Sequence, residues 1–308
     1  MSLSPREIVE KFKMVLNRAY SPNDFSLKYA INTINRINNA TKKVIDYQLH
    51  SLNNVKEWGK TGKTGLLVYF EGRVVYRLRS GIGVILPPFE SGIFVHPVFL
   101  VPYIPGSSFK GVVRYSLYKL LVKSLKDRGF NAENYKKDIN YLLEVVFGSS
   151  SEVYGHMGFA SFYDAYPVKP GIHGRFVVGD IVTPHYHGSE IYENDAQPRP
   201  AKLISVDEGV VFGFAYIIHE ALLREFLENL GEDRRKRICR VIKDSGLLQC
   251  TAGDTMDLSR GIERLLTIAV LRALKLEGIG GRTTRGYGRI EPETLIQVTP
   301  LNFKVTHI

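Results

Sequence analysis

Ile104-Pro105-Gly106-Ser107-Ser108-Phe109-Lys110-Gly111-Val112-Val113-Arg114 is the stretch on which the fold turns. Extended character, β-branched and aromatic, arrives in pieces up to Tyr103, and the Pro-Gly-Ser-Ser run breaks it. From Phe109 to Lys126 apolar residues then fall at Val112, Val113, Leu117, Leu120, Leu121 and Leu125, a helical period. A strand enters a glycine-serine turn and leaves it as a helix.

Working outward, Leu66 to Phe70 and Arg73 to Arg79 are predicted as two strands of a hairpin around Glu71-Gly72. A further helix is predicted near Tyr135 to Val146. Gly158 to Tyr163 and Val210 to Ile218 read as strands, with a long Pro-, Gly-, Tyr- and His-rich loop, Asp164 to Gly209, between them. Glu220 to Leu230 and Arg234 to Val241 read as helices. Ser259 to Leu276 is amphipathic, with Ile262, Leu265, Leu266, Ala269, Val270 and Ala273 on one side and Gly278 as its stop. Ile290 and Leu295 to Phe303 supply closing strands. Without the insertions, about 127–156, 164–209 and 219–258, the order is strand, helix, strand, strand, helix, strand. That is an α+β class with a ferredoxin-like (RRM-like) βαββαβ core, two helices covering one face of an antiparallel sheet.

Ahead of this domain, assigned to 64–308, residues 1–63 hold 11 Lys/Arg against 5 Asp/Glu and read as a basic helical lead segment. Its first helix is expected from about Pro5 to Asn17, opened by the capping box Ser4-Pro5-Arg6-Glu7, and its second from Ser26 to Val55. Across all 308 residues the net charge is +10, with 44% hydrophobic and 23% charged residues, which excludes wholesale disorder and fibrous repeats. Basic excess points to a polyanion only where it clusters with suitable loops. Cys239 and Cys250 are too few for a disulfide framework or a four-cysteine zinc site, and are read as two thiols of a reducing compartment. The opening MSLSPREIVEKF has no apolar signal core, and no run approaches about 18 apolar residues, so a cytoplasmic protein without a membrane partner is expected.

The chemistry concentrates in Gly278-Ile279-Gly280-Gly281-Arg282-Thr283-Thr284-Arg285-Gly286-Tyr287-Gly288-Arg289. Its glycines expose backbone N–H groups and permit positive φ. Arg282, Arg285 and Arg289, with the hydroxyls of Thr283 and Thr284, suit a phosphodiester backbone, and Tyr287 is a candidate to stack a base. In the first motif, a helix starting near Ser107 and Ser108 would offer N–H groups to an anion, and Lys110 and Arg114, four apart, would share one positive helix face.

The pair IPGSSFKGVVR and GIGGRTTRGYGRI resembles the RAMP superfamily of CRISPR effector proteins. Ser80-Gly81-Ile82-Gly83, Phe147-Gly148 and Gly158-Phe159-Ala160-Ser161-Phe162-Tyr163-Asp164-Ala165 fit the same pattern in the same order. Asp180-Ile181-Val182-Thr183-Pro184-His185-Tyr186 is similar to the Asp-Val-Met-x-Pro-His-Tyr signature of the sixth-subunit family of the Cmr (type III-B) complex. The resemblance covers about residues 75 to 292. It implies a non-catalytic, RNA-binding backbone subunit that grips a guide RNA (crRNA) toward its 3′ end for target RNA recognition in antiviral defence. It also implies the first, fourth and fifth Cmr subunits as neighbours. Neither cofactor nor metal is called for.

Other features have plainer readings. The two Gly-Lys-Thr runs in Gly59 to Gly65 lack the Walker glycine, since Asn54 and Glu57 occupy its place. His185 and His187 would point to one side of an extended loop but lack a third metal ligand. Asp254 and Asp257 read as caps of the following helix, and Arg234-Arg235-Lys236-Arg237 as a solvated helix surface. Two alternatives stay open. One is a metal-independent RAMP endoribonuclease that processes guide RNA with His185 as acid or base, assisted by Tyr186 or Lys110. The other is a Csm-type backbone subunit.

Overall fold

The structure is a computed structural model, and it describes residues 32, 34–42, 66–81, 89, 91–96, 100–149, 156–182, 200–298 and 303–307. The expected helix at Pro5 to Asn17, the Gly59 to Gly65 run and Pro184, His185 and Tyr186 lie outside those residues.

The chain opens its sheet with β1 (Leu66–Val74), in which Leu66, Val68, Phe70, Gly72 and Val74 are buried and the residues between them are not, the period of two of a strand with one covered face. Next come α1 (Gly106–Asp127), a 3-10 turn (Ala132–Tyr135), α2 (Lys136–Phe147) and the short strands β2 (Gly148–Ser149) and β3 (His156–Met157). Strands β4 (Ala160–Phe162), β5 (Tyr166–Lys169), β6 (Val177–Val182), β7 (Ala201–Val206) and β8 (Val211–Ile218) follow. Helices α3 (Glu220–Asn229), α4 (Glu232–Asp244) and α5 (Thr255–Arg272) lead to β9 (Ile290–Val298) and β10 (Phe303–His307). The main sheet has the order β10-β9-β1-β8-β4, with β5 also paired to β8. Strand β1 is antiparallel to both β8 and β9, and β8 is antiparallel to β4.

The covered face of the sheet is aromatic. Phe70 and Phe214 stack with ring centroids 5.0 Å apart, and Phe109 from α1 lies edge-on to Phe214 at 5.2 Å and to Phe162 at 5.0 Å. Helix α1 brings Phe109, Val113, Leu117, Leu121 and Leu125 to this core on an i, i+4 stripe, which is why the sequence periodicity identified it. Truncating Phe109 to alanine would cost about 3–5 kcal/mol. Helix α5 packs on the same face, and the Tyr216 and Thr267 hydroxyls hydrogen-bond at 3.1 Å. Its start is capped as expected: the Asp254 carboxylate accepts from the N–H groups of Met256 and Asp257, and Asp257 accepts from that of Thr251.

Four expectations are corrected. Glu71-Gly72 is not a hairpin but the middle of β1, hydrogen-bonded on both sides, with a register shift against β9 at that point. A hairpin there needs central residues at positive φ, and among the described residues neither has it. The insert between Asp164 and Gly209 is not simply loop. It contains β5 and the antiparallel pair β6 and β7, whose Val177, Val182, Leu203, Ile204 and Val206 are buried. The helical residues 34–42 meet this insert, the Asn38 carboxamide oxygen accepting from the N–H groups of Phe176 and Val177. Strands close the sheet as expected but with other bounds, β9 running unbroken from Ile290 to Val298 and β10 starting only at Phe303. Finally, Cys239 and Cys250 form a disulfide with Cα atoms 5.8 Å apart. The turn after α4, with Gly246 at φ +69°, reverses the chain and returns Cys250 to the helix, a proximity invisible in sequence spacing.

Candidate nucleic-acid interface

The last turn of α5 widens into a π-helical turn, Ala273–Glu277, closed by the Gly278 N–H to the carbonyl of Ala273 at 2.9 Å. The glycine-rich loop then folds back on itself and on the segment after β1. Ile279 N–H donates to the Gly288 carbonyl at 2.8 Å, Gly281 N–H to that of Arg79 at 2.8 Å, and Gly288 N–H to that of Arg77 at 2.6 Å. Gly280 sits at φ +92°, and a Cβ there would collide with the Arg79 carbonyl oxygen, so no other residue fits without displacement. Arg282 also adopts a left-handed conformation, φ +63°, at the entry to the 3-10 turn Thr283–Arg285.

Tyr287 is the anchor of this loop and not a stacking platform. It is only 7% exposed, and its hydroxyl donates to Asp180 Oδ2 at 2.7 Å. Its ring lies edge-on to Tyr76, 5.5 Å away. Asp180, on β6, also binds the Arg77 guanidinium and accepts from the Ser205 hydroxyl at 3.0 Å and the Ile181 N–H at 3.0 Å. Burial, then the hydrogen bond to Asp180, pushes the Tyr287 phenol up to about 12. The signature residue Asp180 therefore holds the loop from a distant insert. Nearby, Arg79 is 7% exposed, and one of its guanidinium nitrogens donates to Ser91 Oγ at 2.6 Å. Burial, followed by the charge of Arg282, holds that guanidinium below its ordinary value.

On the α1 side, Gly106 faces protein instead of a ligand. Its N–H donates to the Asp164 carboxylate at 2.7 Å, and a Cβ would strike the carbonyl oxygen of Phe162. An acidic side chain thus already occupies the start of the helix. Ser107 and Ser108 are exposed, and Ser108 lines a groove of about 810 Å³ between α1 and the loop. Gly111, Val112, Tyr115 and Lys119 continue that wall along α1. Gly278, Gly280, Gly281, Thr283, Thr284 and Arg289 form the opposite wall, with Leu276 and Glu277 from the π turn beside them. Lys119 Nζ lies 3.0 Å from Glu277 Oε2, while Arg272 binds Glu277 Oε1 at 3.0 Å.

Lys110 and Arg114 do not belong to this groove. They line a second hollow of about 390 Å³ with Glu144, Phe147 and Met157. One residue step along a helix is about 100°, so the row 110, 114 points away from the row 111, 115, 119. Arg285 and Gly286 stand at the loop tip, Arg285 exposed and Arg282 half-buried, and neither is part of the groove wall. Sequence reading notes Gly81 only as part of the resemblance and misses Tyr115, Lys119 and Glu277. The i, i+4 step from Gly111 through Tyr115 to Lys119 is the available signal. Among the described residues no group of three or more His, Cys, Asp or Glu is placed to hold a metal ion, and no helix is long and apolar enough to cross a membrane.

These features define an α+β protein whose candidate ligand face is the seam between its first core helix and a glycine-rich loop. The chain belongs to the RAMP superfamily, whose family model matches residues 58–291. It is 32% identical over 165 residues to the CRISPR system CMR subunit Cmr6 of Saccharolobus solfataricus, a match taking in 52% of this chain and 49% of that protein. The match thus spans about half the length of the curated relative. Among solved structures, it is similar to a chain of the type III-B Cmr-beta complex bound to cognate target RNA, at 23% identity and TM-score 0.48, covering 87% of this chain and 68% of that one. It is also similar to the crystal structure of Cmr6 from Pyrococcus furiosus, at 19% identity and TM-score 0.40, covering 73% of this chain and 98% of that one.

Proposed function

We propose that this chain is a Cmr6-type subunit of a type III-B CRISPR effector complex. In this reading it is non-catalytic and cytoplasmic, and it holds the guide RNA toward its 3′ end while the first, fourth and fifth Cmr subunits adjoin it and a target RNA pairs with the guide. The core then reads as ferredoxin-like, a reading supported by the antiparallel order β9-β1-β8-β4 for strands joined through α1 and α5.

The observation that carries the reading is the groove itself. Its loop wall is built from the buried Gly278, from the exposed Gly280 and Gly281, which bring main chain to the surface, from two threonine hydroxyls, and from Arg289. Arg282, Arg285 and Arg289 pair with no carboxylate among the described residues, so their charge is available to phosphates. Such a wall recognises a sugar-phosphate backbone without reading its bases.

The test is nuclease footprinting of guide RNA in the assembled complex. Arg282→Ala, Arg285→Ala and Arg289→Ala together should remove protection of the 3′ segment, and an unchanged footprint would sink the reading. Removing an arginine that touches a phosphate should reduce the salt slope of single-strand binding by about 0.7. The non-catalytic part is tested by incubating the purified chain with repeat RNA in EDTA. Intact RNA is expected, and a discrete cleavage product overturns it.

A further inference from the structure

The groove carries more than a phosphate site needs. Two large apolar side chains are turned into it, Tyr115 at 51% exposed and Leu276 at 61% exposed. A surface that bound only phosphates would gain nothing from leaving both open to water, where exposed apolar area is unfavourable. Isolated exposed apolar residues are ordinary, but these two share one concave surface with Arg289, Thr283, Thr284 and the glycine backbone. Lys119 Nζ sits 4.8 Å from the Tyr115 ring centroid and is fixed by its ion pair with Glu277. The ring is therefore braced within its own helix. Gly111, one turn before Tyr115, meets nothing within 4 Å of where a Cβ would stand, so the approach to the ring is clear on that side.

The other tyrosines near the loop are less suited. Tyr287 is buried with its hydroxyl on Asp180, and Tyr76 packs against the Tyr287 edge with the Arg77 guanidinium 5.7 Å from its own centroid. Neither lines the groove.

We propose that Tyr115 is the base-stacking platform of the groove: one unpaired RNA base lies on its ring, with Leu276 beside it, while the loop wall holds the adjoining phosphates. The proposal rests on the RNA-binding reading above and adds a sequence-tolerant contact to a base, since every base presents a π face. It assigns to α1 the role that the sequence pattern gives to Tyr287.

The test uses the full chain and single-stranded RNAs carrying 2-aminopurine at successive positions. One position should be quenched on binding. Tyr115→Ala should abolish that quench and weaken affinity roughly 5- to 150-fold, while Tyr115→Phe retains both. The salt slope should be the same in wild type and Tyr115→Ala, because stacking a base on a ring releases no counterions. A merely structural role for the ring, bracing α1 beside Lys119, would leave the quench in place. Tyr115→Ala binding and quenching like wild type overturns the stacking proposal while leaving the groove reading intact. Failure of the wild-type chain to bind RNA overturns both.

Discussion

Helix α1 turns two rows of side chains outward, and they differ in kind. One row, Ser108, Gly111, Tyr115 and Lys119, faces the glycine-rich loop, and its single cation is ion-paired with Glu277, a carboxylate it shares with Arg272. The other, Lys110 and Arg114, pairs with no acid among the described residues and stands beside Phe147 and a Met157 that is 71% exposed. By charge alone the second row is the better anion site. The first is the better built one, because it meets a loop whose backbone is held open by glycine and pinned from behind by Asp180. What marks the groove is main chain brought to the surface and fixed there, and formal charge is secondary.

The largest effect should come from breaking the groove wall at Gly280. Gly280→Ala places a Cβ against the Arg79 carbonyl in a backbone held at φ +92°, a combination expected to cost about 2–4 kcal/mol. Urea unfolding should show a lower midpoint with unchanged slope, and RNA affinity should fall with it. Lys110→Ala should leave stability within about 0.5 kcal/mol of wild type, as surface changes usually do. Equal stability for Gly280→Ala and wild type would remove the reason for calling one row built and the other merely charged.

The pin behind the loop gives a smaller, pH-dependent effect. Tyr287→Phe removes a hydroxyl donor from a buried carboxylate that keeps Arg77, Ser205 and the Ile181 N–H. The cost should be near the lower end of about 1.5–3 kcal/mol for a hydrogen bond to a charged group. In the folded chain the phenol is raised from its ordinary value of 10.0 to about 12. Its contribution is therefore complete below about pH 10 and is lost as pH rises through the folded value near 12, where the unfolded phenol has already ionised. Wild type should lose stability over that window and Tyr287→Phe should lose less. Parallel pH curves for the two would detach Tyr287 from the anchoring role.

How much of this is legible in the sequence depends on the range of the interactions. Helix α1 is legible because Val113, Leu117, Leu121 and Leu125 repeat with the helix itself, and the α5 cap because Asp254 acts on residues two and three places away. The loop is recognisable as a ligand element because glycine and arginine without acid is a local composition. The role of Tyr287 is not, since the group that buries its hydroxyl lies 107 residues earlier on an insert that reads as loop. The split between Lys110 and Tyr115 escapes for a different reason. Helical spacing tells which residues share a row, but only the tertiary position of the loop tells which row it faces. The disulfide and the unbroken β1 fail on the same ground, because partners across the chain decide them.

The finest separation of the two rows is the salt dependence of RNA binding. Arg289 lines the groove and pairs with no carboxylate among the described residues, whereas Arg114 lines the other hollow. If the groove holds the backbone, Arg289→Ala should flatten the dependence of log K on log salt by about 0.7 and weaken binding uniformly across sequences. Arg114→Ala should leave the slope as it is. Both measurements compare the loss of one arginine, so a difference in slope reports position and not charge. The reverse pattern, with Arg114 setting the slope, would move the RNA to the neighbouring face of α1 and leave the glycine loop a structural element only.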